Sequence, residues 1–197
     1  MGRLDLRYEK LPLIGLPLPA LSHFLAGNSS SRFGAPIQKV WVHRWGGGSY
    51  SGVESWFQNP KSDASSHLVY AGEIGRDKGK CVQMVPYSRK AWTESFFNRT
   101  GVSIECGDAI WLGKDPAGFA RTARIVAFLL HDNGLPPNWR HGPTLPLRGF
   151  LRHADGLSKA GGHTSCPTTD MELWWQFRDR VQAEHAHGHF RRTWGRR

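Results

Sequence analysis

With 197 residues, 39% hydrophobic and 12% aromatic, the chain has the length and composition of one globular domain and not of a disordered segment. No run approaches the roughly 18 uninterrupted apolar residues of a membrane helix, so membrane insertion is not expected. The net charge of +10, from 26 Lys and Arg against 16 Asp and Glu, favours a polyanionic partner: nucleic acid, an anionic membrane face or an anionic cell envelope.

Residues 1–36 are rich in Pro, Gly and Ser and read as an irregular N-terminal arm. The apolar run from Leu11 to Leu25 is broken by Pro12, Pro17 and Pro19, and no small-x-small cleavage site follows, so no cleaved signal peptide is expected. Lys39 to His43 reads as a buried strand ended by Gly46, Gly47 and Gly48. Val53 to Asn59 suits a short helix ahead of Pro60. His67–Ala71, Lys80–Val85 and Val102–Glu105 read as further strands, with Gly75 and Gly79 in the turn between the first two. Pro116 to Asn133 is the clearest helix: Asp115 can cap it, Pro116 suits its first turn, Gly134 ends it, and Phe119, Ala123, Val126, Ala127 and Leu130 form one apolar face. Arg148 to His153 is strand-like, and a last helix runs from about Thr169 to Glu184, burying Leu173, Trp174 and Phe177. Strands followed by strands interleaved with helices predict a single α/β domain over 37–187, a mixed central β-sheet flanked by helices. Residues 188–197 form a basic C-terminal tail carrying Arg191, Arg192, Arg196 and Arg197. No zinc-finger, RNP or helix-turn-helix pattern accompanies it, so it reads as a solvated end and no nucleic-acid partner is expected.

Cys81, Cys106 and Cys166 are an odd, sparse set that argues against a disulfide framework and suits synthesis in a reducing compartment. Cys166 sits in unusual company. His43 closes the first buried strand, His153 closes the last, and Cys166 follows in the loop Gly161-Gly162-His163-Thr164-Ser165-Cys166-Pro167. Zinc takes imidazole nitrogen and thiolate sulfur readily, and a catalytic site uses three protein ligands with one position open. From spacing alone a strand-end His is more often hydrogen-bonded structure than ligand, because ten histidines give many accidental pairs.

The order Val40-Trp41-Val42-His43, Ser66-His67-Leu68-Val69-Tyr70, Val82-Gln83-Met84-Val85-Pro86, Ala91-Trp92, Val102-Ser103-Ile104-Glu105 and His153 with His163-Thr164-Ser165-Cys166-Pro167 resembles the type-2 N-acetylmuramoyl-L-alanine amidases. That superfamily includes phage endolysins and peptidoglycan recognition proteins. The resemblance covers about residues 37–180, and the His163–Pro167 loop is most similar to actinobacteriophage lysins. It implies one Zn2+ held by His43, His153 and Cys166. His163 competes with His153 for the middle ligand; the strand-end position and the family's order favour His153.

The same resemblance implies roles around the metal. Thr164 matches a position carrying Lys or Thr that contacts the oxyanion, the alternative being a loop cap. Glu105 matches a glutamate near the attacking water and is expected as general base; a structural ion pair is the competing reading. Ser66 stands where many members place a Tyr beside the metal, and Trp92 is followed by Thr93 where many carry a His. Trp45, Ser66, Trp92 and His163 are expected to contact substrate, with Trp56 a further candidate for stacking on sugar rings. The implied activity is hydrolysis of the amide between N-acetylmuramic acid and L-alanine in bacterial peptidoglycan by a monomeric, endolysin-like enzyme, made in the cytoplasm and reaching the wall through a holin-type pore. A non-catalytic peptidoglycan receptor on the same fold is the alternative.

Overall fold

The computed structural model describes residues 21–23, 25–139 and 148–188. Residues 1–20 of the expected arm and 189–197 of the expected basic tail lie outside them.

A six-stranded sheet forms the centre, in the order β1-β5-β4-β7-β3-β8. Its members are β1 (Leu21–His23), β3 (Lys39–Arg44), β4 (Leu68–Tyr70), β5 (Cys81–Gln83), β7 (Gly101–Cys106) and β8 (Gly149–Arg152). Only β4 and β5 pair antiparallel; the other neighbours are parallel. β7 and β8 are buried throughout and β3 is buried up to Arg44. Such continuous burial is the signature of parallel strands covered on both faces, which explains why these segments read as apolar runs. A second ribbon pairs β2 (Ser30–Ser31) with β6 (Arg89–Lys90). The arm expected to be irregular therefore contributes two short strands, too brief for alternation to reveal.

The helices are α1 (Tyr50–Gln58), α2 (Asp108–Trp111), α3 (Pro116–Asp132) and α4 (Met171–His187). α1 starts earlier than its apolar residues suggest because Ser49 caps it, accepting the Gly52 amide. Asp115 caps α3 through the Gly118 amide at 2.8 Å, and Gly134, at φ +59°, follows its last turn. Asp170 caps α4 through the Leu173 amide, so α4 begins two residues after the expected start, at Met171. α3 and α4 pack together over an aromatic core in which Trp174 stacks on Phe177 at 5.1 Å and Trp111 meets Phe177 edge-on at 5.0 Å. Arg124 on α3 donates to Glu184 on α4 at 2.7 Å, with both groups buried.

The sheet register fixes the chemistry. His43 on β3 stands directly opposite Glu105 on β7. Val42 stands opposite Arg152 on β8, so His153 comes one step later, beside His43. Side chains alternate along a strand, which sends Trp41, His43, Ser103 and Glu105 to one face and Val40, Val42, Val102 and Ile104 to the other. Glu105, His43 and His153 thus form a row at the carboxyl ends of three parallel strands, where α/β sheets build their binding crevices.

Candidate metal centre

His43, His153 and Cys166 each aim one ligand atom into a common space, and the three atoms lie within 4.8 Å of one another. Cys166 reaches the row because its loop is pinned at both neighbouring strand ends. Its carbonyl accepts the Ala154 amide at 2.8 Å, and its Sγ accepts the Arg44 amide at 3.4 Å.

The two imidazoles face each other through Nδ1, 3.0 Å apart. Each uses its other nitrogen outward: His43 Nε2 pairs with the Glu94 carboxyl group at 3.2 Å, and His153 Nε2–H donates to the Ala160 carbonyl at 2.6 Å. The Ala160 carbonyl can only accept, so His153 carries its proton on Nε2 and turns a bare Nδ1 lone pair inward; His43 does the same when Glu94 is ionised. Two lone pairs converging beside a sulfur suit a cation between them, and the outer hydrogen bonds are those that orient metal-ligating histidines.

The electrostatics agree. Burial, then the His163 imidazole, holds His43 down to about 3, and burial followed by His43 does the same to His153; both are neutral and able to ligate at any ordinary pH. Burial pushes the Cys166 thiol up to about 12, with Glu105 adding to the effect and the Arg44 amide opposing it. Glu105 is raised to about 8 by burial and by the charges of Glu94 and Asp108. Glu94 is raised to about 8 by burial, against the nearby Ser103 hydroxyl and Arg32. Three acidic groups raised around two neutral imidazoles make a site that disfavours anions until a cation arrives. The donor set of two nitrogens and one sulfur fits zinc.

Glu105 Oε1 lies 3.8 Å from His43 Nδ1, and its Oε2 is buried without a hydrogen-bond partner among the described residues. A carboxylate oxygen in that condition is available to a reacting group. The cleft over the centre encloses about 610 Å³. Trp45, Trp56, Trp92, His163 and Ser165 line it beside the metal residues, and Gly46, Gly47 and Gly48, all with positive φ, form part of its rim. The ring of His163 lies 4.2 Å from that of His153. His163 thus lies tilted against His153 and is not among the three residues whose ligand atoms converge.

Two expected residues are placed elsewhere. Ser66 is fully buried, donating to the Leu68 carbonyl at 3.1 Å and bonded to the Ser103 hydroxyl, so the expectation of substrate contact is corrected to a structural role joining β4 to β7. Thr164 is exposed and does not line the cleft, although His163 and Ser165 on either side of it do. Glu94, conversely, escaped sequence analysis. It follows Trp92-Thr93 in a segment without periodicity; a carboxylate between Trp92 and Phe96-Phe97 was the available signal.

Residues 33–169 match the family model described as N-acetylmuramoyl-L-alanine amidase. N-acetylmuramoyl-L-alanine amidase A of Achromobacter lyticus is 38% identical over 58 residues, 29% of this chain and 30% of that protein, so the chain matches about a third of that relative's length. Among solved structures, the Staphylococcus aureus hydrolase AmiA aligns with a TM-score of 0.70 at 13% identity, covering 89% of this chain and 88% of that one. A mutant endolysin from Bacillus subtilis aligns at 0.59 and 15% identity, covering 83% and 99%. At such identities these two likenesses speak for the fold.

Proposed function

Because the chain belongs to the N-acetylmuramoyl-L-alanine amidase family, we propose that it is a zinc-dependent peptidoglycan hydrolase cutting the amide between N-acetylmuramic acid and L-alanine. The observation that carries this reading is the convergence of one ligand atom each from His43, His153 and Cys166 within 4.8 Å beneath an open cleft. Zinc supplies Lewis acidity there, lowering the pKa of water toward about 7 and polarising the scissile carbonyl.

The chain's own residues do the rest. Glu105 takes the proton of the attacking water and returns it to the leaving amine; its raised affinity for protons and its free Oε2 suit both steps. Trp45 and Trp92 on the cleft wall offer faces to the glycan. His163 faces substrate and can donate a ring N–H to it. Thr164, assigned by resemblance to the oxyanion, is exposed and outside the cleft lining, so Glu105 carries the proton transfers without it. The net charge of +10 holds the enzyme on an anionic wall.

The proposed setting is lysis of a bacterial host by an endolysin that reaches the wall through a holin-type pore, supported by the likeness of His163–Pro167 to actinobacteriophage lysins. Among the described residues no helix is long and apolar enough to cross a membrane. Mass spectrometry of digested peptidoglycan tests the reaction. Stem peptides with a new L-alanine amino end are expected, and chelation should abolish them. Muramic acid reducing ends, or cuts within the peptide, would overturn the bond assignment, and binding without turnover would favour a receptor.

A further inference from the structure

The family's fourth sequence block commonly carries a His after its Trp; here Thr93 follows Trp92 and a carboxylate comes next. We propose that this carboxylate, Glu94, is the positioning residue of the metal centre: it fixes which nitrogen of His43 is protonated and aims the other at the ion. The inference rests on the metal reading above.

An imidazole can ligate through Nδ1 only if its proton sits on Nε2. For His153 the Ala160 carbonyl secures this at 2.6 Å. For His43 the sole acceptor recorded at Nε2 among the described residues is Glu94 Oε1, at 3.2 Å. Removing Glu94 would leave the His43 ring free to turn or to take the other tautomer, with its Nδ1–H facing the ion.

Glu94 is itself held in place. It is 0% exposed. Its amide donates to Asn98 Oδ1 at 2.6 Å and the Thr93 amide donates to the same oxygen at 2.9 Å, so Asn98 clamps the turn that presents it. The Thr93 hydroxyl donates to the Ser65 carbonyl, tying the turn to the segment before β4. Close behind lies Gly101, where an added Cβ would sit 3.2 Å from Glu94 Oε2 and 2.7 Å from the Trp41 ring. The absence of a side chain there makes room for the carboxylate. A buried carboxyl group is expensive unless it is used; the nearby charge of Arg32 favours its ionised form, and the ring it reaches at 3.2 Å is that of a ligand histidine. Unlike the peptide carbonyl serving His153, a carboxylate also raises the basicity of the imidazole it holds, which strengthens the ligand.

Glu94→Gln tests this with almost no change of shape. An amide can present either an oxygen or an NH2 to His43, so it no longer dictates the tautomer. Glu94→Ala removes the partner altogether. Zinc binding to the metal-free 197-residue chain is measured by competition with a chromophoric chelator, alongside ¹⁵N spectra of the His43 ring and thermal unfolding without metal. The expected result is a dissociation constant raised about 10- to 100-fold in both variants. The wild-type ring should be an Nε2–H tautomer and the Glu94→Gln ring a mixture, with unfolding of the Gln variant close to wild type. If both variants bind zinc within threefold of wild type, or the Gln variant keeps a pure Nε2–H ring, Glu94 is not the positioning residue. A wild-type chain that binds no zinc would instead sink the metal reading itself, a distinct failure.

Discussion

Replacing Glu105 by Gln tests the proposed general base. The amide has nearly the volume and shape of the carboxylate, and Glu105 is only 8% exposed, so its packing at the end of β7 should survive. What disappears is the ability to take a proton. A positioned general base contributes about 10²- to 10⁴-fold, or about 3–5 kcal/mol at about 1.4 kcal/mol per tenfold. The upper half of that range is expected, because Oε2 is buried and unpartnered and bulk water has little access to substitute for it. Glu105 Oε1 also lies 3.8 Å from His43 Nδ1, so the lost charge weakens cation binding as well, and the comparison must be made at saturating zinc with equal metal content. Release of new amino groups from purified peptidoglycan gives kcat and KM. A fall of about 10³-fold in kcat with KM little changed is expected. A Gln variant loaded with metal and working within threefold of wild type would remove Glu105 from the mechanism.

Zinc affinity should fall as pH falls, in a particular way. The Cys166 thiol, pushed up to about 12, must lose its proton to the ion, so affinity drops at least tenfold per unit of falling pH below about 8. His43 and His153, held near 3, stay neutral between pH 8 and 5, so the slope should not steepen through pH 6.5; titration by competition would show otherwise if either were an ordinary histidine. Trp92→Ala should raise KM about 2- to 10-fold with kcat nearly unchanged, as expected for a lost stacking contact worth about 0.5–1.5 kcal/mol; an unaltered KM would take Trp92 out of the substrate site. Glu184→Ala removes the carboxylate that Arg124 meets at 2.7 Å between α3 and α4 and should cost about 3–5 kcal/mol in urea unfolding, whereas a loss below about 1 kcal/mol would mean that the pair contributes little.

The elements that carry the centre were legible because they are long, apolar or well capped. β3 and β7 announced themselves through Val40, Val42, Val102 and Ile104, and α3 through Asp115, Pro116 and Gly134. Continuous burial in a parallel sheet writes such runs into the sequence. The ligands were legible only by resemblance. Nothing in the spacing of His43, His153 and Cys166 announces that β3 and β8 are neighbours, a fact set by register across more than a hundred residues. Short pieces stabilised by tertiary contacts, such as β1, β2, β6 and α2, left no periodic trace. Ser66 and Thr164 carry hydroxyls beside the right motifs, but a hydroxyl's direction is set by the fold: Ser66 is fully buried against Ser103, and Thr164 is exposed outside the cleft lining. Glu94 failed in the opposite direction, because its importance comes from a contact with a residue 51 positions away.

X-ray absorption at the zinc edge of the purified 197-residue chain addresses the metal centre most directly. One zinc per chain is expected, with one sulfur at about 2.3 Å and two imidazole nitrogens at about 2.0–2.1 Å. Cys166→Ser should remove the sulfur shell and most of the metal. A wild-type spectrum with no sulfur neighbour, or a chain that takes up no zinc at all, would contradict the account.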